Sequence, residues 1–325
     1  MEAFTIAAPR ELDGALAAAQ QSDTKFIAGG TDLVQLMQDF VERPKRLVDL
    51  DGLPLDRVEF GGNGVRIGAL VRMADLADHP EIRRQYPVVT EALLASASPQ
   101  VRNMATIGGN LLQRTRCGYF RDVGSPCNKR DPGTGCPAIR GDHRRLAIFG
   151  VSENCIATHA SDLAVALAAL DAAVELRSPS GTRVVALNDF YLLPDDTPQR
   201  ETVMAPGELV TAVLLPPAGP GERSHYLKLR DRASFEFALV SAAVVVARRD
   251  DDRIARARIA IGGVGAKPWR LPQVEAALAG APVSREAVAA AAANAGEGAK
   301  LLPENGFKLP LMQRALTRAL LTVTA

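Results

Sequence analysis

All four cysteines of this 325-residue chain fall in one stretch, Arg114 to Cys155, at Cys117, Cys127, Cys136 and Cys155. Pro126, Asn128, Asp131-Pro132-Gly133, Gly135 and Pro137 lie among them, turn formers with no sustained hydrophobic period. A loop of that length without a core of its own is uncommon inside a compact domain, so something else must hold it. Thiols gathered on a metal meet that need, and three ligations compete. Disulfides need an oxidising compartment, and Met1-Glu2-Ala3-Phe4 does not begin a secretory signal. Structural zinc favours short Cys-x2-4-Cys knuckles, whereas the gaps here are nine, eight and eighteen residues. Iron–sulfur clusters take four thiolates that a long wrapping loop can supply, although many also use tight Cys-x2-Cys pairs. Spacing alone puts iron–sulfur first and leaves zinc and unliganded or paired thiols open.

Between Arg114 and Arg145 stand eight basic residues (Arg114, Arg116, Arg121, Lys129, Arg130, Arg140, Arg144, Arg145) against three acidic ones. Guanidinium groups and backbone donors around an anionic four-thiolate site would stabilise it and tune its potential. A solvated basic loop, or one docked on an acidic partner, explains the same surplus. His143 and His159 are the histidines nearest the cysteines, and surface or supporting roles suit them, since four thiols complete a site.

The formal charge of +1 gives no reason to expect nucleic acid or an anionic membrane as partner. Apolar runs such as Leu163–Leu170 are far short of a membrane span. The length suits two or three domains, and Pro216-Pro217-Ala218-Gly219-Pro220-Gly221 is the best boundary, giving 1–219 and 220–325.

Two glycine pairs flank the first half of the chain. Lys25-Phe26-Ile27 reads as a strand, Ala28-Gly29-Gly30 as a turn, and Thr31 as the cap of a helix whose apolar face is Leu33, Leu36, Met37 and Phe40. Free backbone N–H groups at such a turn suit a pyrophosphate, although a plain βα connection looks the same. The second pair sits in Ala105-Thr106-Ile107-Gly108-Gly109-Asn110 and leads straight into the cysteine loop. Two such turns could clamp one diphosphate, with Thr106 and Asn110 donating hydrogen bonds. Strands are expected at Arg46–Leu50, Val65–Ala69, Ala173–Ser178, Thr182–Leu187 and Val210–Leu215, and helices at Val88–Ala97 and from Leu163. Ser161 or Asp162 is a natural N-cap for the latter. Beyond the boundary, strands Ser224–Arg230, Phe237–Ala247 and Ile254–Ile261 precede helices Gln273–Leu278, Ser284–Ala293 and Met312–Thr322, an α+β order. Lys228, on the first of these strands, either reaches the nucleotide or is an exposed strand lysine.

These pieces resemble the FAD-binding medium subunits of the molybdenum hydroxylases, the xanthine dehydrogenase and carbon monoxide dehydrogenase group. The resemblance rests on Ala28-Gly29-Gly30-Thr31-Asp32-Leu33, Thr106-Ile107-Gly108-Gly109-Asn110-Leu111, Ser161-Asp162-Leu163, Pro206-Gly207-Glu208-Leu209-Val210, Lys228 and Arg232-Ala233-Ser234-Phe235. Most of that group lack the cysteine loop. Arg116-Cys117-Gly118-Tyr119-Phe120-Arg121-Asp122, Pro126-Cys127-Asn128-Lys129-Arg130 and Gly135-Cys136 resemble the subset with an extra [4Fe-4S] cluster, in periplasmic aldehyde oxidoreductases and 4-hydroxybenzoyl-CoA reductase.

The resemblance implies an α+β fold: a two-lobed FAD-binding domain, then a small α+β domain like the C-terminal domain of the carbon monoxide dehydrogenase flavoprotein. It implies that Phe26, Ile27, Ala28, Gly29, Gly30, Thr31, Asp32 and Leu33 line the diphosphate, with Thr106, Gly109 and Asn110 opposite. Asp162 would bind flavin hydroxyls, Val210 would sit beside the isoalloxazine and Lys228 would contact FAD. Cys117, Cys127, Cys136 and Cys155 would hold the [4Fe-4S] cluster. Substrate oxidation would lie on a large molybdopterin-cofactor subunit, with a small two-[2Fe-2S] subunit passing electrons to FAD and on to an external acceptor. No residue need act as general acid or base, and no Ser-His-Asp or Cys-His pairing suggests one. The compartment would be cytoplasm, or periplasm by co-export with a signal-bearing partner. The competing reading is a metal-stapled assembly module without redox-active flavin.

Overall fold

Short parallel strands open the chain. In the computed structural model, which describes residues 1–325, β1 (Thr5–Ala7), β2 (Thr24–Ile27) and β3 (Arg46–Asp49) form a parallel sheet of order β1-β3-β2. Parallel neighbours need crossovers, and helices Leu12–Ala18 and Leu33–Gln38 supply them. The second helix starts as expected but stops before Phe40, whose φ of 57° is incompatible with continuing it. Thr31 does not cap it. Asp32 holds the N-cap position without a capping bond, because its carboxylate is engaged elsewhere.

The second lobe is antiparallel. Strands β4 (Val58–Gly61), β5 (Gly64–Gly68), β6 (Ala173–Ser178), β7 (Gly181–Ala186) and β8 (Leu209–Leu215) pair in the order β4-β5-β8-β6-β7. Alternate residues Val65 and Ile67, Val174 and Leu176, and Val213 and Leu215 turn into one core with helices Pro87–Ala95 and Asp162–Ala169. Each fully buried aliphatic side chain contributes roughly 1.5–3 kcal/mol. Helix Asp162–Ala169 is buried at every position, so it is the centre of the molecule and not an amphipathic flank.

The last sheet contains β9 (Glu222–Leu229), β10 (Val240–Arg248), β11 (Ile254–Gly262) and β12 (Trp269–Arg270), antiparallel in the order β12-β11-β10-β9. One face carries helices Pro272–Leu278, Arg285–Ala293 and Lys308–Thr324, and the other packs on Pro87–Ala95 and Asp162–Ala169. The strand expected from Phe237 begins only at Val240, because Phe235 is left-handed (φ 50°) and breaks the extended run. The whole is the expected α+β arrangement of two lobes followed by a smaller sheet-and-helix unit. No helix is long and apolar enough to cross a membrane.

Candidate functional site

A cleft of about 530 Å³ is lined by the end of β2, the turn after it, the segment at 105–110, Asp162, Val210 and Lys228. Every residue assigned to the flavin by resemblance lines it: Phe26 to Leu33, Thr106, Gly109, Asn110, Asp162, Val210 and Lys228. The two glycine pairs do different jobs. A Cβ on Gly29 would sit 1.9 Å from the Met104 carbonyl oxygen, so this glycine lets the first lobe touch the backbone of the second. Gly30 turns the chain with φ +67°. The backbone N–H groups of Gly29, Gly30, Thr31, Asp32 and Leu33 donate to no protein acceptor, and all five residues line the cleft. Such a row of unsatisfied donors fits an anionic diphosphate.

The second pair is not a turn. Thr106 caps a short helix, Ile107–Leu111, and its hydroxyl accepts from Gly109 N–H at 3.2 Å. Ile107 and Gly108 donate to the carbonyls of Val71 and Ala69, so these amides cannot grip a phosphate. Asn110 also looks inward: its amide nitrogen donates to Met73 sulfur at 3.3 Å and its oxygen accepts from the Ser161 hydroxyl at 2.5 Å. The clamp is therefore one-sided in backbone donors.

Ser161, not Asp162, caps the central helix, accepting from Ala164 N–H at 2.9 Å. Asp162 is freed to face the cleft. Its carboxylate accepts from Lys228 Nζ at 2.7 Å, Ser96 Oγ at 2.9 Å and the Tyr226 hydroxyl at 2.5 Å. Lys228 is thus no exposed strand lysine; its side chain is 3% exposed, and it also donates to the Ala95 carbonyl. Tyr226 and Ser96 escaped the sequence reading. The signal for Tyr226 was present, since residues two apart on a strand share a face.

The cysteine loop folds back on itself. Cys117, Cys127 and Cys155 are buried in one small cluster with Phe120, Leu146 and Ile156, and Cys136 packs against it. None is disulfide-bonded. The loop is organised by Asn128, whose side-chain oxygen accepts from Gly133 N–H (3.1 Å) and Gly135 N–H (2.7 Å). Backbone N–H groups near the sulfurs, of Phe120 and Tyr119 for Cys117, of Ile156, Ile139 and Ala138 for Cys136, and of Ala157 for Cys155, favour the charged form of each thiol. Burial nevertheless pushes the Cys117 and Cys136 thiols up, and Cys155 up to about 11. No three Cys, His, Asp or Glu side chains approach closely enough to share a single metal ion.

The basic residues are mostly committed elsewhere. Arg114 pairs with Glu42 and Glu201, Lys129 with Glu201, and Arg144 and Arg145 with Asp231. Arg130 donates to the carbonyls of Tyr119, Phe120 and Ser125. Lys129 favours the charged form of Cys155, while Cys117 and Cys136 oppose it. Glu201 is half-buried; desolvation would raise its pKa, but Arg114 and Lys129 outweigh it and hold it low.

Asp32 joins the two regions. Its carboxylate accepts from the Arg114 N–H at 2.7 Å and pairs with Arg116 (2.8 Å) and Arg121 (2.7 Å). Burial, then Asp32 and Arg121 in opposite senses, bring the Arg116 guanidinium down to about 10. The histidines serve the fold. His143 Nε2 accepts from Glu304 N–H at 3.1 Å. His159 packs edge-on against Tyr191, accepts from Ser161 N–H at Nδ1, and is brought down to about 4 by burial.

Comparison with known proteins agrees with this geometry. Residues 2–218 match the FAD binding domain in molybdopterin dehydrogenase, and residues 225–323 match the CO dehydrogenase flavoprotein C-terminal domain. The chain is 49% identical over 326 aligned positions to the aldehyde oxidoreductase FAD-binding subunit PaoB of Escherichia coli, covering 98% of each. It is 28% identical to the nicotinate dehydrogenase FAD-subunit of Eubacterium barkeri, over 89% of this chain and 84% of that one. Among solved structures, a carbon monoxide dehydrogenase of Hydrogenophaga pseudoflava superposes with a TM-score of 0.75 at 26% identity, covering 99% of this chain and 97% of the other. This chain belongs to the FAD-binding family of the molybdopterin dehydrogenases, with a CO dehydrogenase flavoprotein C-terminal domain following its FAD-binding domain.

Proposed function

We propose that this chain is the FAD- and [4Fe-4S]-binding electron-transfer subunit of a molybdenum-dependent, aldehyde oxidoreductase-type hydroxylase. The observation that carries the flavin part is the row of unsatisfied N–H donors at Gly29–Leu33 inside the cleft. These amides would hold the diphosphate. Thr106, Gly109 and Asn110 shape the opposite wall, Asp162 and Lys228 present a charged, hydrogen-bonded floor, and Val210 supplies an apolar surface. Flavin, when bound, supplies a centre that exchanges electrons singly or in pairs, linking one-electron carriers to a two-electron acceptor.

Three of the cysteines are buried in one small apolar cluster and the fourth packs against it, with gaps unlike the short knuckles that structural zinc favours. Iron–sulfur centres take four thiolates from a single wrapping loop, and all four cysteines of this chain lie in one such loop. The likeness to a protein named as the FAD-binding subunit of an aldehyde oxidoreductase supports a multi-subunit assembly, and the resemblance seen in the sequence makes the partners a large molybdopterin-cofactor subunit and a small two-[2Fe-2S] subunit. Substrate oxidation then lies on the large subunit, and this chain delivers electrons to an external acceptor. No side chain in the cleft is required to move a substrate proton.

Absorbance and metal analysis of the purified protein test both cofactors. Flavin bands over a broad iron–sulfur shoulder are expected. Cys127→Ser should lose the iron while flavin stays near stoichiometric. A colourless protein containing zinc, or full iron content in Cys127→Ser, overturns the assignment.

A further inference from the structure

Asp32 sits between the amides that line the cleft and the start of the cysteine loop. Thr31 and Leu33, its chain neighbours, carry unsatisfied N–H groups, and its own carboxylate reaches away from them. All three of its partners, Arg114, Arg116 and Arg121, belong to the loop, on either side of Cys117. Arg114 and Arg116 also line the cleft, so the loop forms part of its wall. The Arg116 guanidinium lies over the Phe237 ring at 4.8 Å, which brings the C-terminal unit into the same contact. With its side chain 15% exposed and three partners within 2.8 Å, Asp32 is neither a helix cap nor a solvated surface acid.

We propose that Asp32 is a positioning residue that couples the two cofactor sites, so that flavin in the cleft orders the cysteine loop and an ordered loop tightens the grip on flavin. The inference rests on the flavin reading above. Physically, seating a diphosphate on Gly29–Leu33 fixes the backbone that carries Asp32, and that in turn fixes the arginines bracketing Cys117. The ordering cost is met once and shared by both ligands. Such linkage is reciprocal at equilibrium: the factor by which FAD shifts the loop towards its ordered form equals the factor by which the ordered loop strengthens FAD binding.

The test uses the full chain, with FAD as the probe. Amide exchange across residues 114–136, and the rate of iron loss to a chelator, are measured with and without FAD. In the unaltered protein FAD should raise exchange protection across the loop by about fivefold or more, within the usual range of coupling between sites, and should slow iron loss. Asp32→Asn keeps the shape and removes the charge; both responses should vanish and FAD affinity should fall by a similar factor. Arg116→Gln cuts the link from the loop side, and should abolish the same responses even if Asp32→Asn folds poorly. Asp32→Glu should recover part of them. A variant that weakens FAD while its loop still responds overturns the coupling, because Asp32 would then serve the turn alone. An unaltered chain that binds no FAD sinks the functional reading itself. One that binds FAD with an indifferent loop sinks only the coupling.

Discussion

Taking one partner from Asp162 leaves a buried charge under-compensated. Lys228→Met removes its cation and leaves only Ser96 and Tyr226 to answer the carboxylate. Breaking a buried pair in this way costs about 3–5 kcal/mol. Urea unfolding should show that loss together with weaker FAD retention; an unchanged midpoint would mean that water already screens the pair. His159 gives a prediction with a sign. Its pKa falls from 6.5 to about 4 in the fold through burial. Below pH 6.5 the unfolded chain takes up a proton that the folded chain refuses, so the contribution is complete above 6.5 and shrinks as pH falls towards 4. Between pH 7.5 and 5 it should cost on the order of 2 kcal/mol. His159→Phe keeps a ring beside Tyr191 and should lose that part of the acid slope in denaturant titrations. The sequence showed which residue types sat in these places, but not their partners. Asp162 read more readily as a helix cap, because the three groups that claim it arrive from positions 96, 226 and 228.

Elements with strong periodicity were legible. β2, the β6–β7 hairpin, β8 and the alternation of β9 all lie within a few residues of expectation. Helices Met73–Asp78, Pro80–Gln85 and Pro99–Met104 were not anticipated, although proline at the first helical position marks the last two, and Ser98 caps the third by accepting from Val101 N–H. The glycine pairs show the limit of motif reading. Gly-Gly signals freedom from side chains, but only coordinates say whether the close neighbour is a ligand or the protein itself. At Gly29 it is the Met104 carbonyl. Gly29→Ala should therefore force the lobes apart, at a cost of about 1–3 kcal/mol typical of overpacking, and should weaken FAD binding by moving the neighbouring amides. Fluorescence titration with FAD checks it; binding as tight as in the unaltered protein would place the strain elsewhere.

Across the whole molecule, the proline- and glycine-rich stretch at 216–221 looks like a linker, yet the cores do not part there. Tyr226, Ala243, Val245 and Ala260 belong to the same apolar cluster as Val65, Leu93 and Leu167. Ile148 and Phe149 lie in the core of the C-terminal sheet, with Phe149 stacked on Trp269 at 5.3 Å. Lys308 Nζ donates to the carbonyls of Arg145 and Leu146, within the cysteine loop, and of Gly263. A composition shift marks where a chain crosses between units and says nothing about how much surface they share. Calorimetry should show one cooperative transition; two resolved peaks would mean the common core contributes little.

That shared core limits how relatives could trade parts. The helix Asp162–Ala169 is wrapped on one side by its own lobe and on the other by β10 and β11. A chimera that borrows the last hundred or so residues from a cousin would inherit a surface shaped for someone else's helix. Recombination in this family would have to move Phe149, that helix and the C-terminal sheet together, so the natural unit of exchange is discontinuous along the gene.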